Sequence, residues 1–141
     1  MTQNLDNNLN VLAEVVGLGQ GGVDPEVMGL GPVPAIRNAL KDADLKLSDM
    51  EVLELNEAFA SQSLGVIKLL SEEHGVAESE IISKANPNGG AIALGHPVGA
   101  SGNRIIVTLA HELKRTGKKY GLASLCIGGG MGTAVILKNV K

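Results

Sequence analysis

Leu122-Ala123-Ser124-Leu125-Cys126-Ile127-Gly128-Gly129-Gly130-Met131-Gly132-Thr133-Ala134-Val135-Ile136-Leu137 decides how this 141-residue chain folds. Two apolar runs, Leu122 to Ile127 and Thr133 to Leu137, read as strands parted by a glycine-rich turn, most simply an antiparallel hairpin. Just upstream, Ser101 to Arg115 carries Ile105, Leu109 and Leu113 at successive i, i+4 spacing. Lys114 and Arg115 close that helix and Gly117 ends it, as expected at a C-terminus.

The alternation continues towards the N-terminus. Ile81 to Ala85 is a short strand candidate leading into the loop Asn86-Pro87-Asn88-Gly89-Gly90. Ala58 to Glu73 reads as a helix that buries Leu64, Val66, Ile67 and Leu70. Glu51 to Leu55 is a strand that delivers Asn56, and Pro32 to Asp44 a helix with Ile36, Leu40 and Ala43 on one face. Val11 to Leu18 reads as the first strand. The order βαβαβαββ predicts an α/β fold: a mostly parallel sheet, helices on its faces, and a last strand that runs back. Parallel strands covered on both faces account for apolar runs that do not alternate.

Composition agrees with one domain over residues 11–141. Hydrophobic residues make up 44% of the chain, but Phe59 and Tyr120 are its only large rings, so the core is built from Leu, Ile, Val and Ala. A net charge of -3 argues against a nucleic-acid groove, which needs a dense basic face. One cysteine excludes an internal disulfide and suits a reducing cytoplasm. Residues 1–10 are polar and Asn-rich and read as a disordered leader, neither signal peptide nor anchor. No apolar run approaches the ~20 residues of a membrane span. The expectation is a soluble, cytoplasmic protein.

Three positions could carry chemistry. Asn56 stands where a strand ends and a helix begins, the crevice side of an α/β sheet. Its amide could hold a water or an oxyanion, or simply cap the helix. His96 is the one residue between Gly89 and Gly102 of a kind that exchanges protons near neutral pH. Gly95 and Pro97 flank it, and a helix follows whose N-terminus favours developing negative charge. Cys126 ends a strand against Gly128-Gly129-Gly130, glycines that could present N–H groups to an anion; otherwise it is a small buried hydrophobe. His74 and His111 sit among charged neighbours and read as solvated surface residues. Gly17, Gly19 and Gly22 fit G-x-G-x-x-G after a strand, but Asp24-Pro25 stands where the phosphate-binding helix should open, which argues against a dinucleotide site.

Met28-Gly29-Leu30-Gly31-Pro32-Val33-Pro34-Ala35, Asn56-Glu57-Ala58-Phe59-Ala60, the loop from Asn86 to Gly102 and the run from Cys126 to Gly132 resemble, in order, blocks of a thiolase C-terminal domain. The resemblance spans about Val15 to the end. It implies a three-layer α/β/α half with a five-stranded mixed sheet whose last strand is antiparallel. It implies Claisen condensation or thiolysis of acyl-CoA thioesters, with the coenzyme A thioester as substrate and no metal or separate cofactor. By resemblance His96 activates the nucleophilic cysteine of the other half and donates to the thioester oxygen, and Asn56 holds the water that completes that oxyanion hole. Cys126 is then the base at the α-carbon of the second acetyl-CoA. The Gly128 N–H belongs to a second oxyanion hole, and Ala58, Phe59 and Ile127 line the passage for the pantetheine arm.

In that family the nucleophilic cysteine belongs to the N-terminal half, and the single cysteine here is taken by the base. The expectation is no turnover from this polypeptide alone, and a thiolase N-terminal half or a homo-oligomer as partner. Two rival readings stand beside it. One is a cysteine hydrolase using Cys126 and His96, against which Cys126 ends a strand rather than opening a helix. The other is a non-catalytic acyl-CoA-binding or assembly half-domain.

Overall fold

The computed structural model describes residues 10–140, so the expected leader, Asn10 apart, lies outside the described residues. Strands β1 (Ala13–Gly22), β2 (Val52–Leu55), β3 (Tyr120–Gly128) and β4 (Met131–Asn139) alternate with helices α1 (Pro32–Ala43), α2 (Ala60–His74), α3 (Glu78–Lys84), α4 (Ala91–Leu94) and α5 (Ser101–Thr116). The strands form one mixed sheet in the order β1-β4-β3-β2. Ile36 and Leu40 of α1, Leu70 of α2 and Ile81 of α3 pack with Leu53, Leu122 and Ile136 in one core. Ile105, Leu109 and Leu113 of α5 pack with Val52, Ala123 and Leu137 in the other. Neighbouring residues such as Val52 and Leu53 thus serve opposite faces, which is why the strands read as unbroken apolar runs. The result is three layers, α/β/α.

Among the described residues the sheet has four strands, not five. The segment Ile81 to Ala85 falls mostly in α3, because Glu78 and Glu80 open a helical turn and Lys84 closes it with a 2.7 Å bond to Glu80. Two adjacent isoleucines cannot by themselves separate a short strand from a short helix. The chain touches the sheet there through a single parallel bridge, Leu53 to Ala85.

The sheet is also less parallel than expected. Only β2 and β3 run parallel. β1 pairs antiparallel with β4 from Ala13 opposite Asn139 to Gly22 opposite Met131, so the first strand flanks the hairpin. Leu64, expected inside, is 63% exposed, while Val66, Ile67 and Leu70 are buried.

The glycines that mimicked a dinucleotide fingerprint lie inside β1. A Cβ at Gly17 would stand 2.7 Å from the Ala39 carbonyl oxygen, and one at Gly21 2.7 Å from the Ala35 nitrogen. At Gly19 it would overlap the Ala35 carbonyl. Gly17, Gly19 and Gly21, but not Gly22, let α1 press its Ala35, Ala39 and Ala43 against the strand backbone. Among the described residues no helix is long and apolar enough to cross a membrane.

Candidate active site

β2 hands the chain to Asn56, whose N–H donates to the Ser124 carbonyl at 3.0 Å and continues the parallel ladder by one residue. The Asn56 side chain is consequently buried. It caps nothing: α2 begins four residues later, behind Phe59. Its Nδ2 faces His96 Nε2 at 3.4 Å, and its Oδ1 is buried without a protein partner.

Four ties fix the loop that carries His96. Asn86, in the left-handed region at φ 48°, turns its side chain onto Leu55, with Oδ1 accepting the Leu55 N–H and Nδ2 donating to the Leu55 carbonyl, both at 2.9 Å. That amide takes the position beside β2 where a fifth strand would pair. Glu57 accepts from Asn86 Nδ2 at 3.3 Å and from the Ile92 N–H at 3.0 Å. Asn88 Nδ2 donates to Glu112 on α5 at 2.9 Å. Finally His96 Nδ1 lies 2.6 Å from Ser101 Oγ, while that hydroxyl donates to the Pro97 carbonyl at 3.2 Å. With the serine proton so committed, the network assigns the ring proton to Nδ1 and leaves a lone pair on Nε2, facing the Asn56 amide.

Cys126 arrives from the opposite side. Its thiol donates to the Met28 carbonyl oxygen at 3.1 Å. A bulge between Cys126 and Gly128 sets Ile127 out of register, half exposed. Gly128, Gly129 and Gly130 then turn the hairpin at φ 90°, 61° and 86°, values that glycine adopts without strain. His96, Cys126, Gly128, Ala58, Phe59 and Ile127 all line one cleft of about 680 Å³, and Asn56 lies behind His96. The S–H goes to Met28 and both His96 nitrogens are engaged elsewhere, so no hydrogen bond joins Cys126 to His96 among the described residues. The Cys–His pairing a cysteine hydrolase needs is not formed.

Glu54 shares a strand face with Asn56 two residues earlier, and is fully buried with neither carboxylate oxygen partnered among the described residues. Burial pushes its carboxyl up to about 7, with Arg104 of α5 pulling partly the other way. Glu112, also buried, is held below the usual carboxylate range by hydrogen bonds from Asn88 and Arg115. His74 is not the solvated residue expected: its side chain is 18% exposed and burial lowers its pKa. His111 is exposed, as expected.

Several residues of the site escaped sequence reasoning. Ser101 lies five residues past His96 in Gly99-Ala100-Ser101-Gly102, a spacing that could have suggested a partner. Glu57 and Asn86 stood inside motifs already noted. Met28 acts through a backbone carbonyl and Gln62 through the neighbouring one, roles that no side-chain pattern records.

Comparisons with known proteins follow the same line. A family model described as "Thiolase, C-terminal domain" matches residues 9–139. The chain is 55% identical over 127 residues to an acetyl-CoA acetyltransferase of Syntrophomonas wolfei, covering 90% of this chain and 31% of that protein. It is 53% identical over 133 residues to the human mitochondrial 3-ketoacyl-CoA thiolase, covering 94% of this chain and 32% of that protein. The crystal structure of human mitochondrial 3-ketoacyl-CoA thiolase in complex with CoA is similar with a TM-score of 0.85 and 52% identity, over 95% of this chain and 32% of that one. The chain therefore spans about a third of the length of the relatives it matches.

Proposed function

This chain belongs to the thiolase family, as its C-terminal domain, and on that premise we propose that it supplies the acid–base half of an acyl-CoA acetyltransferase site. The domain is taken as residues 11–141. One observation carries the reading: His96 Nε2, with its lone pair, sits 3.4 Å from the Asn56 amide on the same cleft as Cys126.

In this scheme the nucleophilic thiol of an N-terminal half gives its proton to His96 Nε2, and the thiolate attacks the acyl carbon of a CoA thioester. The protonated ring then donates to the thioester oxygen as negative charge gathers there, and Asn56 Nδ2 steadies the water that supplies the second donor. Ser101 keeps the ring proton on Nδ1, so the transferred proton has one destination. Cys126 gives its S–H proton to the departing CoA thiolate, and the Cys126 thiolate so formed takes a proton from the α-carbon of a second acetyl-CoA. The resulting carbanion attacks the acyl-enzyme, whose oxygen the Gly128 N–H stabilises. Thiolysis is the same path reversed. Ala58, Phe59 and Ile127 form an apolar wall suited to a pantetheine arm.

Because the one cysteine of the sequence is the base, this polypeptide alone has no turnover. Its partner is a thiolase N-terminal half or a second copy, and its setting is the cytoplasm, which keeps a lone thiol reduced; the human relative is mitochondrial by name.

The test is acetoacetyl-CoA thiolysis by the chain alone and after mixing with a thiolase N-terminal half bearing the nucleophilic cysteine. Activity only in the mixture is expected. Activity from the chain alone would make Cys126 a nucleophile and overturn the assignment. Silence in a mixture shown to associate would favour a non-catalytic half-domain.

A further inference from the structure

Gln62 is a conspicuous residue of the cleft wall. It lies on α2 with 9% of its surface exposed, and its Nε2 donates to the Gly29 carbonyl oxygen at 3.0 Å. Its Oε1 is buried with no partner among the described residues. Flipping the amide would set one acceptor against another at Gly29, so the orientation is determined. A half-satisfied buried amide is a liability that a methionine of similar volume would avoid. Its presence calls for a role other than stability.

That role lies one residue away. Gly29 follows Met28, whose carbonyl oxygen accepts the S–H of Cys126 at 3.1 Å and the Gly31 N–H at 3.1 Å. Both carbonyls belong to the short 3-10 turn Pro25–Leu30, which has non-helical backbone angles at Val27 and no buried side chain of its own. Leu30, partly buried, is the turn's packing contact with the core, and the hydrogen bonds at Met28 and Gly29 fix where the Met28 carbonyl points. The fit is close. A Cβ on Gly29 would stand 2.6 Å from Gln62 Cγ.

We propose that Gln62 is a positioning residue for Cys126: by gripping the Gly29 carbonyl it aims the Met28 carbonyl at the thiol and commits the S–H to that acceptor. The inference gives Cys126 a defined resting rotamer and a defined place for its proton. It rests on the preceding reading for its catalytic meaning, but not for its test.

Cys126 is the only cysteine of the sequence, so iodoacetamide reports on it alone, in the chain as it stands. Gln62→Met removes the grip while keeping the volume. With its S–H no longer held by an acceptor, the thiol should be alkylated about three- to tenfold faster at fixed mildly alkaline pH, the range of one lost hydrogen bond. The urea midpoint should stay level or rise. Gly29→Ala, which drives Gln62 aside from the other end, should quicken alkylation by a similar factor. Unchanged alkylation in folded Gln62→Met refutes the proposal. So does quickening that merely tracks a lowered midpoint, because a structural role alone produces that. Since the assay needs no second half, shifted alkylation with failed complementation would keep this inference and remove the catalytic reading.

Discussion

Replacing Glu54 by glutamine should make the domain more stable by an amount that grows as pH rises above 4.5 and levels off above about 7. Its carboxyl is fully buried, neither oxygen has a partner among the described residues, and burial raises it from 4.5 to about 7. A raised carboxyl means that the folded state holds the proton more tightly than the unfolded chain does. The associated stability is therefore complete below pH 4.5 and is lost as pH climbs through about 7. The full loss is ~3 kcal/mol, most of it between pH 5 and pH 8. Glutamine keeps the shape and cannot ionise, so Glu54→Gln avoids that loss. His74 has the opposite sign, since its lowered pKa costs stability as pH falls through the acid range, and it must be separated out. Taking the variant-minus-parent difference does so, because His74 is common to both. The assay is urea unfolding followed by far-ultraviolet circular dichroism, the chain having no tryptophan. The difference in unfolding free energy should grow by ~2–3 kcal/mol in favour of Glu54→Gln from pH 5 to pH 8. A difference that is flat with pH, or a variant less stable than the parent at pH 8, refutes the assignment of an unpaired buried acid.

Two further outcomes follow from the contacts. Ser101→Ala removes the acceptor of the His96 Nδ1 proton, so the folded variant should show mixed ring tautomers by nitrogen-15 NMR. Its complemented thiolysis should fall about tenfold to a hundredfold through lost orientation; an unmoved tautomer with full activity would dismiss the orienting role. Gly19→Ala forces a methyl into the Ala35 carbonyl and should cost ~2–3 kcal/mol in thermal unfolding. Gly22→Ala, whose Cβ meets nothing nearer than 4.0 Å, should be nearly silent, and equal effects at both positions would undo the helix-contact explanation.

How much was legible beforehand depended on the range of the interactions. The helix Ser101–Thr116 and its glycine stop, the proline-led Pro32–Ala43 and the hairpin around Gly128–Gly130 were readable because spacing, capping and turn chemistry are local. So was the placing of Asn56 and Cys126 at strand ends beside the crevice. Asn56 could still be read as a helix cap, because the sequence does not say that α2 waits until Ala60. Ile81 and Ile82 were ambiguous because two residues span less than either repeat.

The sequence by itself determined the placing of the four strands and of α1, α2 and α5, the two-sided burial of the inner strands and the residues that could do chemistry. Tertiary structure alone decided that β1 pairs antiparallel with β4, from Ala13 opposite Asn139 to Gly22 opposite Met131. It alone decided that the Asn86 amide stands where a fifth strand would be, and that Asn56 and His96, 40 residues apart in the chain, meet at 3.4 Å. It also set the tautomer of His96 through Ser101 and aimed the Met28 carbonyl at Cys126. The physical reason is that periodicity and turns act over a few residues, whereas register and hydrogen-bond partners depend on which distant surfaces are pressed together once both faces of the sheet are covered.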